Sequence, residues 1–300
     1  MEYMNNGNYR RDNIGMTVRQ PGSALILLFS LFAFFLILTP ILTGWIGAII
    51  KKPVAALRIA MVVQDLLVFI LPAIITALVS TRLPAKLMAV DVRPNWRMLL
   101  LSLLTLLASV PAMNLVIEWN QNIHLPANMG QIEQTLRMLE ENAAAVTDML
   151  MAGASIPSLI VSVLIVGALA GFSEELFFRG AMQRLIMSSR MNPHAVIWIV
   201  SLLFSLFHFQ FFGFVPRMLL GAFFGYLLWW SKSLWIPVIV HMFNNTVVVC
   251  STWYATNNPE SAFNADKIGT DLNSASSIIM VSASLLLTIV GIMAIRRQQR

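Results

Sequence analysis

Three short clusters of ionisable and amide side chains interrupt an otherwise apolar chain. The first is Glu174, Glu175 and Arg179 in the run Gly171-Phe172-Ser173-Glu174-Glu175-Leu176-Phe177-Phe178-Arg179-Gly180. The second is His208 in Phe204-Ser205-Leu206-Phe207-His208-Phe209, and the third is His241 and Asn245 in Val240-His241-Met242-Phe243-Asn244-Asn245-Thr246. Residues four apart on a helix share a face, so Glu175 can pair with Arg179 and stay charged, while His241 and Asn245 point the same way. Glu174 points about 100° from its neighbour and lacks that partner. A carboxylate, two imidazoles, an amide and an ion pair suffice for hydrolysis. They supply a base to deprotonate water, a second group to orient it and donors for an oxyanion. Each cluster alone also has a structural reading. The glutamates suit a helix N-terminus capped by Ser173, with Arg179 at the interface. His208 suits a core bond to a backbone carbonyl, and Asn245 a helix-helix bond. Three consecutive apolar helices with polar groups at one-turn spacing favour a shared site.

The elements that position these residues follow from composition. Of 300 residues, 58% are hydrophobic and 11% charged, against about a quarter charged in soluble domains, and the mean hydropathy is +0.75. That balance excludes a water-soluble enzyme, a disordered chain and a nucleic-acid-binding module, which need solvated or cationic surfaces. An all-α polytopic membrane bundle remains. An α-helix needs about 20 mainly apolar residues to cross a bilayer, and about eight stretches qualify: 24–50, 58–80, 97–117, 157–172, 194–212, 215–230, 234–254 and 276–295. Pro40 in the first predicts a kink or tilt. No internal repeat is visible, and the single cysteine, Cys250, excludes an intrachain disulfide. A charge at mid-bilayer costs about 2.5–3.5 kcal/mol, so ionisable residues within spans are site candidates by default.

The net charge of +6 reads as basic loops on the cytoplasmic side of a bilayer. Residues 1–23 form a polar, Arg-bearing cytoplasmic tail without a convincing cleavage site after it, and 24–300 a single transmembrane domain with both termini cytoplasmic in the cell (inner or plasma) membrane. Fourteen Lys and Arg then fall inside, among them Arg10, Arg11, Arg19, Arg179, Arg184, Arg190, Lys232 and Arg300, and six fall outside: Lys51, Lys52, Arg58, Arg137, Arg217 and Lys267. The cluster Lys51, Lys52, Arg58 runs against this orientation locally. The acidic stretch 118–156 predicts an amphipathic extracytoplasmic helix, with Ile132, Leu136, Leu139, Val146, Met149 and Leu150 on its apolar side.

The three clusters resemble the signature of the CPBP family, the CAAX-prenyl-protease and bacteriocin-processing membrane proteins, also called the Abi or Rce1-like family. Glu174, Glu175 and Arg179 match its E-E-x-x-x-R motif, Phe204 and His208 its F-x-x-x-H, and His241 and Asn245 its H-x-x-x-N, in the family's order. The glycine-containing run 220–227 and Ser233-Leu234-Trp235-Ile236-Pro237 are also similar, and the resemblance covers 157–254. It implies an eight-helix intramembrane endopeptidase, its cavity open to the cytoplasm, acting on membrane-embedded or lipidated proteins or peptides. By the same resemblance Glu174 and His208 activate water, His241 and Asn245 stabilise the oxyanion, and Glu175 and Arg179 hold the first glutamate's helix in register. No cofactor is expected. The alternative is a zinc site of Glu174, His208 and His241 with water as fourth ligand, disfavoured because no H-E-x-x-H pair is present.

Other chemistries fit less well. Ser155 in Gly153-Ala154-Ser155 lacks the last glycine of G-x-S-x-G, no G-x-G-D motif is present, and Cys250 lies more than two turns from His241. His124 and His194 read as solvated, and Asp65 is an intramembrane acid without an evident partner. The rival from another class is a non-catalytic membrane partner, an immunity or chaperone-like factor. A transporter would need inverted repeats and paired broken helices, which the chain lacks.

Overall fold

The computed structural model describes residues 18, 20–151, 153, 155–189, 191–258 and 265–299. Most of the expected N-terminal tail, and with it Arg10, Arg11 and Arg19, lies outside the described residues, as do Arg190 and Arg300. Ten main helices follow in order: α1 Pro21–Ile49, α2 Pro53–Ser80, α3 Trp96–Ala108, α4 Val110–Gln121, α5 Gly130–Met151, α6 Ile156–Ser188, α7 Pro193–Leu206, α8 Phe211–Ser231, α9 Trp235–Asn257 and α10 Ala275–Arg297. No strand occurs among the described residues. Prolines sit in the first turns of α1, α2, α4, α6 and α7, where a missing N–H costs nothing. Asn95 and Asn192 cap α3 and α7 by accepting from the amides of Arg97 and His194.

Six helices, α1, α2, α6, α8, α9 and α10, are long and apolar enough to cross a membrane, and α3 with α4 makes a seventh, bent by 50°. The expected crossing 194–212 corresponds to α7, which at 14 residues is about 21 Å long and too short to span alone. The fourth expected span is longer than its 157–172 bounds: α6 runs unbroken for 33 residues. The first motif therefore lies mid-helix and not at a helix start. The Ser173 hydroxyl, which suited an N-cap, instead donates to the Ala170 carbonyl within the helix. Widened π-helical turns at Val163–Leu169 and Leu176–Gln183 lie on either side of the glutamate pair, the second holding Arg179, a feature frequent at functional sites.

The bend between α3 and α4 falls at Ser109, two residues before Pro111, whose ring removes a helical donor. Ser284 of α10 repairs the break: its hydroxyl donates to the Ala108 carbonyl at 2.6 Å and accepts from the Ala112 amide at 3.2 Å. At membrane depth such repair by a neighbouring helix is what makes a broken span tolerable.

The bundle has two distinct ends. One carries the start of α1, the loop 81–95, the end of α6, the α8–α9 turn and the end of α10. There Arg184 donates to the Leu87 carbonyl at 2.7 Å, and Ile295 packs with Met98 and Trp230. The other carries the start of α2, the end of α4, α5, the loop 207–213 and the end of α9. Asn120 knits this end, donating to the Phe211 carbonyl and accepting from the Val215 amide. Arg58, which sat awkwardly in the charge tally, points into the bundle here, where its Nη2 donates to the Leu150 carbonyl, the Ser158 carbonyl and hydroxyl, and the Ser162 hydroxyl. Its charge fastens α2 to α5 and α6 and does not mark a loop. On α5 the residues Ile132, Leu139, Val146 and Met149 are exposed while Leu150 is buried, as an interfacial helix requires. Arg137, then the Leu125 amide and His124, hold Glu133 at its start down to about 2. The stabilisation is thus complete above the ordinary carboxylate range and lost only as pH falls toward about 2.

Helices α6 and α9 cross closely at Gly171. A Cβ there would lie 3.0 Å from the Met242 amide nitrogen and 3.2 Å from its Cα, so only glycine lets the two backbones approach this far. We expect Gly171→Val to lower the unfolding midpoint in detergent by the equivalent of about 1–3 kcal/mol. Gly44→Val, where a Cβ meets nothing within 4 Å, leaves the midpoint unchanged.

Candidate active site

Glu174 and Glu175 leave α6 one residue apart, so they serve two neighbouring faces. Glu175 is fully buried, and its Oε1 lies 2.9 Å from Nη1 of Arg179 one turn on. The same oxygen accepts from His241 Nδ1 at 2.9 Å. Arg179, also fully buried, donates through Nη2 to the Gly221 carbonyl of α8 at 2.9 Å and stacks over the Phe204 ring with Cζ 4.4 Å from its centroid. Buried in this pair, Arg179 carries no weight in a positive-inside count. The rings of Phe178, Phe204 and Phe224 surround it, and the carboxylate and aromatic faces together compensate its charge.

Glu174 faces the other way, toward the two histidines. Its Oε1 is 3.9 Å from His208 Nε2 and its Oε2 3.8 Å from His241 Nε2. Among the described residues Oε2 has no hydrogen-bond partner. Both rings are held from behind. His208 Nδ1 donates to the Phe204 carbonyl at 2.7 Å, which is the reason for the four-residue spacing of the second motif. His241 Nδ1 donates to Glu175, and its ring stacks on Phe224 at 4.6 Å between centroids. A carboxylate and a carbonyl accept only, so in the neutral ring each Nδ1 carries the proton and each Nε2 presents a lone pair to Glu174. At 3.8–3.9 Å these pairs are too long for direct hydrogen bonds and suit a bridging water.

Asn245, one turn beyond His241, donates to the Val166 carbonyl and accepts from Asn244, both at 3.3 Å, which leaves one amide hydrogen free. Glu174, His208, His241, Asn244 and Asn245 line one cavity of about 630 Å³. The sequence reading had not found Asn244, Phe224, the Gly221 carbonyl or Arg217. Arg217 lines the same cavity and donates to Gln210 at 2.7 Å. Only the glycine-rich run 220–227 hinted at Gly221, where a Cβ would meet Arg179 at 3.2 Å. Asp65, unplaced by sequence, is buried on α2 beside Ser173 and Glu174. His194 is exposed and bonds Tyr226, His124 is exposed and bonds Glu133, and Cys250 is an exposed free thiol.

The zinc alternative would draw on Glu174, His208 and His241. Among the described residues no three His, Cys, Asp or Glu side chains are grouped to hold a metal ion.

A multi-pass helical bundle with a carboxylate, two imidazoles and an amide converging on an intramembrane cavity has the makings of a membrane-embedded hydrolase. Residues 156–247 match the family model described as Type II CAAX prenyl endopeptidase Rce1-like. The match supports the CPBP/CAAX-protease family for this stretch, which holds all three motifs, and at family level an intramembrane CAAX endopeptidase. No curated protein and no solved structure matches the chain.

Removing one partner of a buried ion pair strands the other charge. Arg179→Leu should therefore cost about 3–5 kcal/mol in detergent unfolding. The double variant Glu175→Gln with Arg179→Leu should recover part of that loss, since no uncompensated charge remains.

Proposed function

We propose that the chain is an intramembrane endopeptidase that hydrolyses peptide bonds of membrane-embedded or lipidated proteins with a glutamate-activated water and no metal. The observation that carries this reading is the convergence on Glu174 of two imidazole Nε2 atoms, each fixed from behind through Nδ1. A water between Glu174 and His208 gives its proton to Glu174 while the His208 Nε2 lone pair orients it. The oxygen attacks the scissile carbonyl carbon and a tetrahedral oxyanion forms. The free Asn245 amide hydrogen donates to that oxygen. His241 donates from Nε2 when its ring carries a second proton, and Glu175 behind it stabilises that imidazolium. The C–N bond then breaks, and the proton held on Glu174 passes to the leaving amine. Glu175 and Arg179 do not touch substrate; they set the ring of His241 and so are positioning residues.

Cleavage is tested with the purified protein in detergent, added to membrane extract from cells that lack the chain, with new peptide termini read by mass spectrometry. We expect new termini with the wild type, their complete loss with Glu174→Ala and with His208→Ala at unchanged unfolding midpoint, and full activity under excess chelator. Full rescue of a deletion phenotype by Glu174→Ala would instead establish a non-catalytic membrane partner.

A further inference from the structure

We infer that the cavity opens on the non-cytoplasmic face of the membrane, so that the segment cleaved is a part of an exported or membrane-anchored polypeptide presented from the outer leaflet. The inference rests on the endopeptidase reading for the word cleaved, and on the fold alone for the direction. From Glu174, His208 and His241 the cavity wall runs outward along Met113, Ile117 and Gln121 of α4 and along Val248, Thr252 and Thr256 of α9. Glu140 of α5 and Arg217 of α8 complete its polar mouth. All of these lead to the end of the bundle that carries α5, away from the start of α1 and the end of α10.

The opposite end is closed. The loop 81–95 lies across it, with Leu87, Met88 and Ala89 buried. The Ala89 carbonyl accepts from the Leu234 amide at 3.0 Å, Val90 from the Trp235 indole at 2.9 Å and Val92 from the Ser233 hydroxyl at 2.6 Å. Arg184 holds the same loop from α6 through the Leu87 and Lys86 carbonyls. A substrate reaching Glu174 from that side would have to unfasten this plug.

The charge distribution then assigns the two ends to the two sides of the bilayer. Among the described residues the closed end carries Arg82, Lys86, Arg93, Arg97, Lys232, Arg296 and Arg297, with Arg179 and Arg184 bonded within the bundle; the open end carries Lys51, Lys52, Arg137 and Lys267, with Arg58 bonded within the bundle and Arg217 lining the cavity. Seven against four places the closed end in the cytoplasm. Cytoplasmic termini, expected from the basic residues, and a cavity open to the cytoplasm, which the family resemblance implies, cannot hold together in this fold. The apolar walls with a polar, charged rim suit a chain that leaves the outer leaflet for water at the mouth.

The direction is read by thiol labelling in intact cells. In a Cys250→Ser background, Thr256→Cys places a thiol at the mouth and Arg93→Cys one at the closed end. A membrane-impermeant maleimide should label the Thr256→Cys protein in intact cells and the Arg93→Cys protein only after permeabilisation; the reverse pattern overturns the inference. Labelling does not depend on proteolysis. The expected pattern without any cleavage would remove the endopeptidase reading and keep the orientation, and cleavage with the reverse pattern would do the opposite.

Discussion

One carboxylate, Glu175, is buried completely and shared between a guanidinium and an imidazole, and the rest of the site depends on it. A guanidinium inside a bilayer is tolerated only where its charge is met. Arg179 meets it with Glu175, a helix carbonyl at Gly221 and the face of Phe204. Those three partners come from α6, α8 and α7, so compensating one charge ties together three of the helices that carry or support the motifs. His241 on α9 is the fourth participant: its Nδ1 finds the same carboxylate oxygen, and the ring is thereby turned to present Nε2 to Glu174.

The two glutamates owe their separate roles to helical geometry. Adjacent residues diverge by about 100°, so one side chain enters the dry interior and the other enters the cavity. The interior one is neutralised and rigid. The cavity one keeps an oxygen without a protein partner and meets two imidazoles at water-bridging distance. Glycine at 171 and 221 makes this possible: a Cβ at 171 would meet the Met242 backbone of α9, and one at 221 the Phe204 ring and the Arg179 guanidinium.

Much of this was legible in the residues. The pairing of Glu175 with Arg179 and the common face of His241 and Asn245 follow from four-residue spacing, and scarcity of charge singled those positions out. Other features were not legible because they depend on distance between helices. Nothing local says that Glu175 serves His241, that Phe224 stacks on it, or that Asp65 lies beside Glu174. Helix ends were misread where the signal was ambiguous. Ser173 followed by two glutamates looks like a capped start, yet the apolar run continues on both sides, and the helix with it. Sequence alone does not show that Arg58 is bonded within the bundle, because its partners are carbonyls and hydroxyls of other helices.

The central claim is that Glu175 holds the Nδ1 proton of His241 so that Nε2 faces Glu174. Nitrogen-15 spectra of the histidine side chains in detergent, assigned with a His241→Gln variant, read that proton directly. A protonated Nδ1 on His241 in the wild type, lost from its hydrogen bond in Glu175→Ala, is the predicted result. A neutral His241 with its proton on Nε2 and a bare Nδ1 would contradict the account.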